Sequence, residues 1–224
     1  MNNKSDDLRG GLPRSTLALA ALALGMAVLG FAAAAYFRHS AERAGAPGTT
    51  LATGTLIDPH RPLPEFSLLD HRGSAFTNDA LKGHWSMLYF GYTNCPDLCP
   101  TTLSSLAAMQ KRMVAARDEP RPVVVFISVD AKRDTPAVLA RYVPYFDPAF
   151  IGVTAPTQAH IEEFARKLGV AVIIGPETNG TYAVDHSGAV FVTAPDGKLA
   201  AILTGPHTVD GLSTDFRQIV EAGT

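Results

Sequence analysis

The chain carries just two cysteines, Cys95 and Cys99, and both fall in the stretch GYTNCPDLCP. Residues at i and i+4 share one face of a helix, so a helix beginning near Pro96 turns both sulfurs to the same side. A helix N-terminus offers free N–H groups and partial positive charge, which favour the thiolate. On this reading both sulfurs are chemically available. Three chemistries are then open. A plain disulfide closes so small a loop that it removes little chain entropy, which makes stability a poor reason for it. A redox pair cycles between dithiol and disulfide as a CxxC does, and the extra residue leaves the separation bridgeable. A metal site uses both thiolates as soft ligands for Cu(I) or Zn(II) and needs a third ligand from elsewhere.

Seven histidines are available for that role. His39 belongs to the border of a long apolar run. His60, His71 and His84 stand in linker or turn-like sequence and read as solvated. His160 lies within a helical pattern and His207 beside Gly205-Pro206. His186 differs, because Val184-Asp185-His186-Ser187-Gly188 reads as a turn between two core strands with a carboxylate immediately before the imidazole. It is the candidate third ligand, and a solvated hairpin histidine is the competing reading.

Strand and helix signals alternate around these residues, as in a central sheet flanked by helices. Phe66 to Leu69 and the segment after Gly73 form a short hairpin about Asp70-His71-Arg72-Gly73. WSMLYFGY (85–92) and VVVFISV (123–129) are apolar throughout and read as strands covered on both faces. Between them, Thr101 to Ala116 places Leu103, Leu106, Met109 and Met113 at helical spacing. The cysteines therefore sit at the carboxyl end of a core strand, where sites in open α/β sheets gather. Thr135-Pro136 starts a helix, Phe150 to Val153 is a strand, and Thr157 to Leu168 is a helix closed by Gly169. Tyr182 to Val184, Ala189 to Val192 and Leu199 to Leu203 are strands, and Val209 to Ala222 is the last helix. Tyr92 and Phe90, at strand spacing, read as core.

From Leu17 to Phe37 there are twenty-one residues without a charge. At about 1.5 Å per helical residue this spans the roughly 30 Å hydrocarbon core and is long for a secretory signal. The expectation is an uncleaved anchor at 17–37, preceded by a cytoplasmic tail at 1–16. A linker at 38–63 and a folded domain at 64–224, carried across the membrane, follow. The remaining composition excludes other classes. Nineteen basic against twenty-one acidic residues leave no basic surplus for nucleic acid, and 46% hydrophobic content is far from disorder.

Four ordered blocks, FSLLDHRG, YFGYTNCPDLCPTTL, ISVDAKRDTPAVLARY and YAVDHSGAVFV, together resemble the Sco/SenC family over Pro64 to the C-terminus. These are copper-binding, membrane-anchored proteins of thioredoxin-like fold that assist cytochrome c oxidase assembly. The resemblance implies that Cys95, Cys99 and His186 hold copper, with Asp185 adjacent. Two thiolates and one imidazole suit Cu(I), Cu(II) can be bound with an added oxygen ligand, and Asp185 is expected to tune or orient His186. The resemblance further implies a metallochaperone on the periplasmic side of a bacterial inner membrane, with a periplasmic copper donor and the oxidase copper-centre subunit as partners. Ala131 stands where the family commonly has proline. A thiol-disulfide oxidoreductase that reduces the oxidase's copper-ligand cysteines is the alternative. A peroxiredoxin-like peroxidase fits less well, because its usual threonine three residues before the cysteine is here Tyr92.

Overall fold

The computed structural model describes residues 51–223 together with Gly25, Met26, Gly30 and Phe31, the last four helical. The anchor expected at 17–37, apart from those four positions, lies outside the described residues, as does the tail at 1–16. Among the described residues no helix is long and apolar enough to cross a membrane.

Two apolar runs make the centre of the domain, β4 (Ser86–Gly91) and β5 (Val123–Ser128), which pair in parallel in register from Ser86 with Val123 to Gly91 with Ser128. Alternate side chains of β4 go to opposite faces, as strand geometry requires. Met87 and Tyr89 join one core and Leu88 and Phe90 the other. Counted along the chain, the preceding strands are β1 (Gly54–Arg61), β2 (Ser67–Asp70) and β3 (Ala75–Thr77). Later come β6 (Ile151–Thr154), β7 (Val172–Ile174), β8 (Val184–His186), β9 (Val190–Thr193) and β10 (Leu199–Leu203). Eight of these form one sheet in the order β1-β10-β9-β4-β5-β6-β2-β3, while β7 and β8 form a separate antiparallel ribbon. The helices are α1 (Leu98–Ala116), α2 (Pro136–Phe146), α3 (Gln158–Leu168) and α4 (Val209–Ala222). α1, α2 and α4 bury Leu103, Leu139 and Phe216 against one face of the sheet, and α3 buries Ile161 and Phe164 against the other. The expected cap at Thr135 and the closing Gly169, at φ 78°, are present, and Thr157, expected as the first residue of α3, is its N-cap.

One boundary changes. The linker expected over 38–63 includes β1, which pairs antiparallel with β10 at the edge of the sheet. Its sequence, GTLIDPHR, hides this because an edge strand tolerates proline and buries little; only Leu56 and Ile57 reach the two cores, and only partly. The start of the domain is held from the far end of the chain. Asp215, fully buried on α4, accepts hydrogen bonds from Ala52 N (2.7 Å), Thr53 N (3.0 Å) and Thr53 Oγ1 (2.7 Å). On the other side, Thr204 N donates to Thr53 O at 2.6 Å. Replacing the carboxylate by a methyl strands three donors, and hydrogen bonds to charged groups are the costly ones to lose. Asp215→Ala is therefore expected to lower the unfolding free energy by about 3 kcal/mol, with Asp215→Asn in between, measured by urea denaturation.

Candidate metal centre

β4 ends at Gly91, and the chain makes one tight turn, Cys95 N donating to Tyr92 O at 3.2 Å, before α1 begins at Leu98. Asp97 occupies the N-cap position of α1 without making a side-chain cap. The sulfur of Cys95 fills that place instead, accepting Cys99 N–H at 3.4 Å. The pair thus shares one helix start, as its spacing suggests, but the two thiols differ in environment. Cys95 is half-buried, whereas Cys99 is wholly buried and belongs to the core between β4 and α1. Burial pushes the Cys99 thiol up to about 12, against the stabilisation that a helix terminus supplies. This corrects the expectation that both sulfurs are available: desolvation outweighs the helix terminus at Cys99. Both thiols are free.

Room for the buried sulfur is made by Gly91. A Cβ at that position would lie 2.7 Å from Cys99 Sγ and 2.7 Å from Phe126 Cε2, closer than a real side chain can sit. The hydroxyl of Tyr89, pointing to the same face of β4, donates to Cys99 Sγ at 3.7 Å.

His186 arrives from a different part of the fold. It closes β8, opposite Val172, and so stands on a paired strand where the sequence pattern suggested a turn. Its Nδ1 is 3.0 Å from Ser187 O, and a carbonyl can only accept, so Nδ1 carries the proton and Nε2 keeps the lone pair. That Nε2 faces Cys99 Sγ at 3.4 Å. Burial lowers the imidazole's pKa, opposed by the Ser187 carbonyl and by the charge of Asp185, so the ring is neutral at neutral pH. The rings of Tyr92 and Tyr89 stand edge-on to it, with centroids 5.8 and 6.4 Å away. Cys95, Cys99 and His186 together place one ligand atom each within 4.8 Å of one another.

Of the two roles expected of Asp185, tuning and orienting, the structure gives it the first, through its charge. It is exposed, and as the neighbour of His186 in a strand it points to the opposite face. Ser187 O, rather than Asp185, orients the ring, and the carboxylate acts on it only through its charge. Four other histidines make contacts elsewhere, and His39 lies outside the described residues. His60 Nδ1 lies 3.7 Å from Asp196 Oδ2, and His160 Nδ1 lies 2.7 Å from Thr157 Oγ1. His71 accepts Gly152 N–H at 2.9 Å and is thus a fastening of the hairpin rather than a solvated turn residue. His207 Nε2 is 2.7 Å from Gly188 O.

A polar network missed by sequence reasoning fixes the cysteine loop. Asp134, wholly buried after β5, accepts from Thr93 N (2.9 Å), Thr93 Oγ1 (2.6 Å) and Ser128 Oγ (2.6 Å). Burial raises its pKa and these bonds lower it. Arg133 pairs with buried Asp130, lies 3.7 Å over the Tyr182 ring and donates to Tyr182 O at 3.0 Å. Tyr182 OH in turn donates to Asp130 at 2.7 Å. The only available signal was a run of charged residues directly after an apolar strand. At Ala131, where the resemblance expects proline, the backbone N–H donates to Gln158 Oε1 at 2.9 Å, a bond proline has no hydrogen to make.

Fold and site together define a thioredoxin-like α/β domain with a dithiol at a helix start and an imidazole delivered by a separate ribbon. The SCO1/SenC family model matches residues 56–221, and the chain belongs to that family. The mouse mitochondrial protein SCO2 homolog is 40% identical over 159 residues, covering 70% of this chain and 59% of its own length. The crystal structure of Arabidopsis thaliana ScoI with copper bound is 34% identical and covers 71% of this chain and 98% of that one, with a TM-score of 0.67. Yeast Sco1 with copper bound is 29% identical and covers 72% of this chain and 90% of that one, also with a TM-score of 0.67.

The unequal burial of the thiols has a direct readout. Under anaerobic conditions iodoacetamide is expected to modify Cys95 at least about tenfold faster than Cys99, as resolved by peptide mass spectrometry. Gly91→Ala, by displacing the Cys99 sulfur, is expected to narrow that ratio; equal rates in the parent protein would contradict the burial assignment.

Proposed function

We propose that the protein is a copper metallochaperone that carries copper on Cys95, Cys99 and His186. Its place, on this reading, is the periplasmic side of a bacterial inner membrane, held there by the 17–37 segment. It receives copper from a periplasmic donor and passes it to the copper-centre subunit of cytochrome c oxidase. The observation that carries the copper assignment is the convergence of two sulfurs and one neutral imidazole within 4.8 Å, with the imidazole lone pair facing inward. Two thiolates and one nitrogen are soft ligands suited to Cu(I), and a three-ligand site leaves a direction open for an incoming partner's ligand. Relatives whose structures hold copper support the same reading. The anchor, the compartment and the oxidase partner rest on the sequence and on the family resemblance.

Anaerobic Cu(I) titration of the full chain against a chromophoric chelator tests the assignment. One copper per chain is expected, with His186→Ala weakening binding by about tenfold or more and Cys99→Ser by more still. Equal affinity in the parent and His186→Ala would remove the imidazole from the site. Because the Cys99 thiol stays protonated up to about 12, copper must displace its proton. Affinity is therefore expected to rise with pH, by about tenfold per unit for this one proton, between pH 6 and 9.

A second reading is favoured by the free dithiol with one half-buried and one buried sulfur. Cys95 attacks a partner disulfide, one partner sulfur leaves as a thiol, and Cys99 then displaces the second, so the partner is reduced and a Cys95–Cys99 disulfide forms. Stoichiometric reduction of an oxidised copper-centre peptide by the metal-free protein is the expected outcome, and no exchange would exclude it.

A further inference from the structure

The three residues of the centre come from two parts of the fold that share no ladder. Cys95 and Cys99 are fixed by β4 and α1, inside the eight-stranded sheet and its core, whereas His186 stands on the β7–β8 ribbon. A two-stranded ribbon is marginally stable by itself, so the distance between imidazole and sulfurs depends on what fastens the ribbon to the body of the domain. At the entrance to β8 the Tyr182–Arg133–Asp130 contacts do this. At the exit, the segment 187–189 leads from one sheet to the other, and its internal bonds are few: Ser187 N donates to Ala171 O at 3.3 Å and Ala189 N to Ser187 Oγ at 3.3 Å.

We propose that His207 is a positioning residue for His186, acting through this segment. His207 lies between the end of β10 and the start of α4, a stretch held by Thr204 N on Thr53 O (2.6 Å) and by the Thr208 cap on Gly211 N (3.1 Å). From that platform its Nε2–H donates to Gly188 O at 2.7 Å. Since the carbonyl can only accept, His207 must hold its proton on Nε2. Its Nδ1 is buried without a partner, a loss the ring sustains while keeping the other nitrogen on the loop. Leu98, the first residue of α1, also packs so closely on Gly188 that a Cβ there would lie 3.2 Å from Leu98 Cδ2. Gly188 is thus in contact both with the helix that bears Cys99 and with the imidazole of His207. The carbonyl just before it, Ser187 O, is the one that sets the His186 tautomer. Fixing Gly188 therefore fixes the acceptor that turns the His186 lone pair toward Cys99. A partner that orients a ligand's other ring nitrogen is a general device of metal centres, here exercised through one intervening backbone group.

The inference rests on the copper reading only for the purpose of the alignment, and the test separates the two. The full-length chain is prepared with 15N-labelled histidine as the parent, His207→Gln and His207→Phe. In the reduced, metal-free parent, His186 is expected as the Nδ1–H tautomer and His207 with a slowly exchanging Nε2–H. His207→Phe removes the donor, so the His186 signals should average between tautomers and Cu(I) affinity should fall by about tenfold, the lower end of what such partners supply. His207→Gln keeps an N–H that can reach the carbonyl and is expected to restore both. A parent His207 protonated on Nδ1 overturns the proposal, as does an unchanged His186 spectrum in His207→Phe. If that variant does not fold, the parent tautomers and the glutamine variant decide. His186→Ala is the control for the site itself: undiminished copper binding there would defeat the copper reading, while the tautomer measurements still judge His207.

Discussion

The sulfur of Cys99 occupies the space that a side chain at position 91 would fill, and much of the centre follows from that contact. A strand that ends in glycine lets the first turn of α1 press against the end of the sheet, so the second cysteine enters the core instead of the solvent. Burial then keeps its proton on, with the thiol at about 12, and a group in that state is a poor nucleophile. It becomes a good ligand only when something replaces the proton. Cys95, four residues earlier at the helix start, is only partly covered, so the two sulfurs differ in their access to solvent.

The same contact sets what the histidine must do. With Cys99 fixed inside the body of the domain, the imidazole has to come to the sulfur, and it comes on a ribbon that is not part of the main sheet. Two tyrosine rings flank it and a backbone carbonyl holds its outer nitrogen, so the inner one points at Cys99 without any carboxylate in contact. Burial opposes protonation of the ring, which keeps the lone pair free near neutrality. Arg133, stacked on Tyr182 and lying 5.7 Å from the Tyr92 ring, links the entrance of the ribbon to the loop that carries the cysteines.

How much of this was legible in the sequence depended on whether the cause was local. β4, β5 and the four helices could be read because apolar runs, caps and a terminal glycine lie within each segment. β1 could not, since an edge strand with a proline and little buried surface has no pattern of its own. β7 is three residues long and pairs with residues ten to fourteen positions on, from Ile174 with Val184 to Val172 with His186, and its existence depends on its partner. The three residues that converge could be named from residue type and family resemblance. The inequality of the two sulfurs could not, because i, i+4 spacing says that they share a face and leaves open which of them meets the core. Asp134 and Thr93 are forty-one positions apart, so a hydrogen bond between them leaves no trace in local spacing.

Asp185 shows where adjacency in sequence misleads. A carboxylate next to a candidate histidine invites the reading that it holds the ring, but in a strand consecutive side chains point apart. The residue beside His186 is therefore poorly placed to touch its imidazole, while residues distant in sequence are well placed. His207, twenty-one positions on, and Arg133, fifty-three positions back, both reach the ribbon because β10 and β5 end beside it. What positions His186 is the way strand ends converge at one edge of the domain. That convergence is a property of topology, which is why a dithiol and one histidine suffice as a motif while the groups that aim them are scattered along the chain.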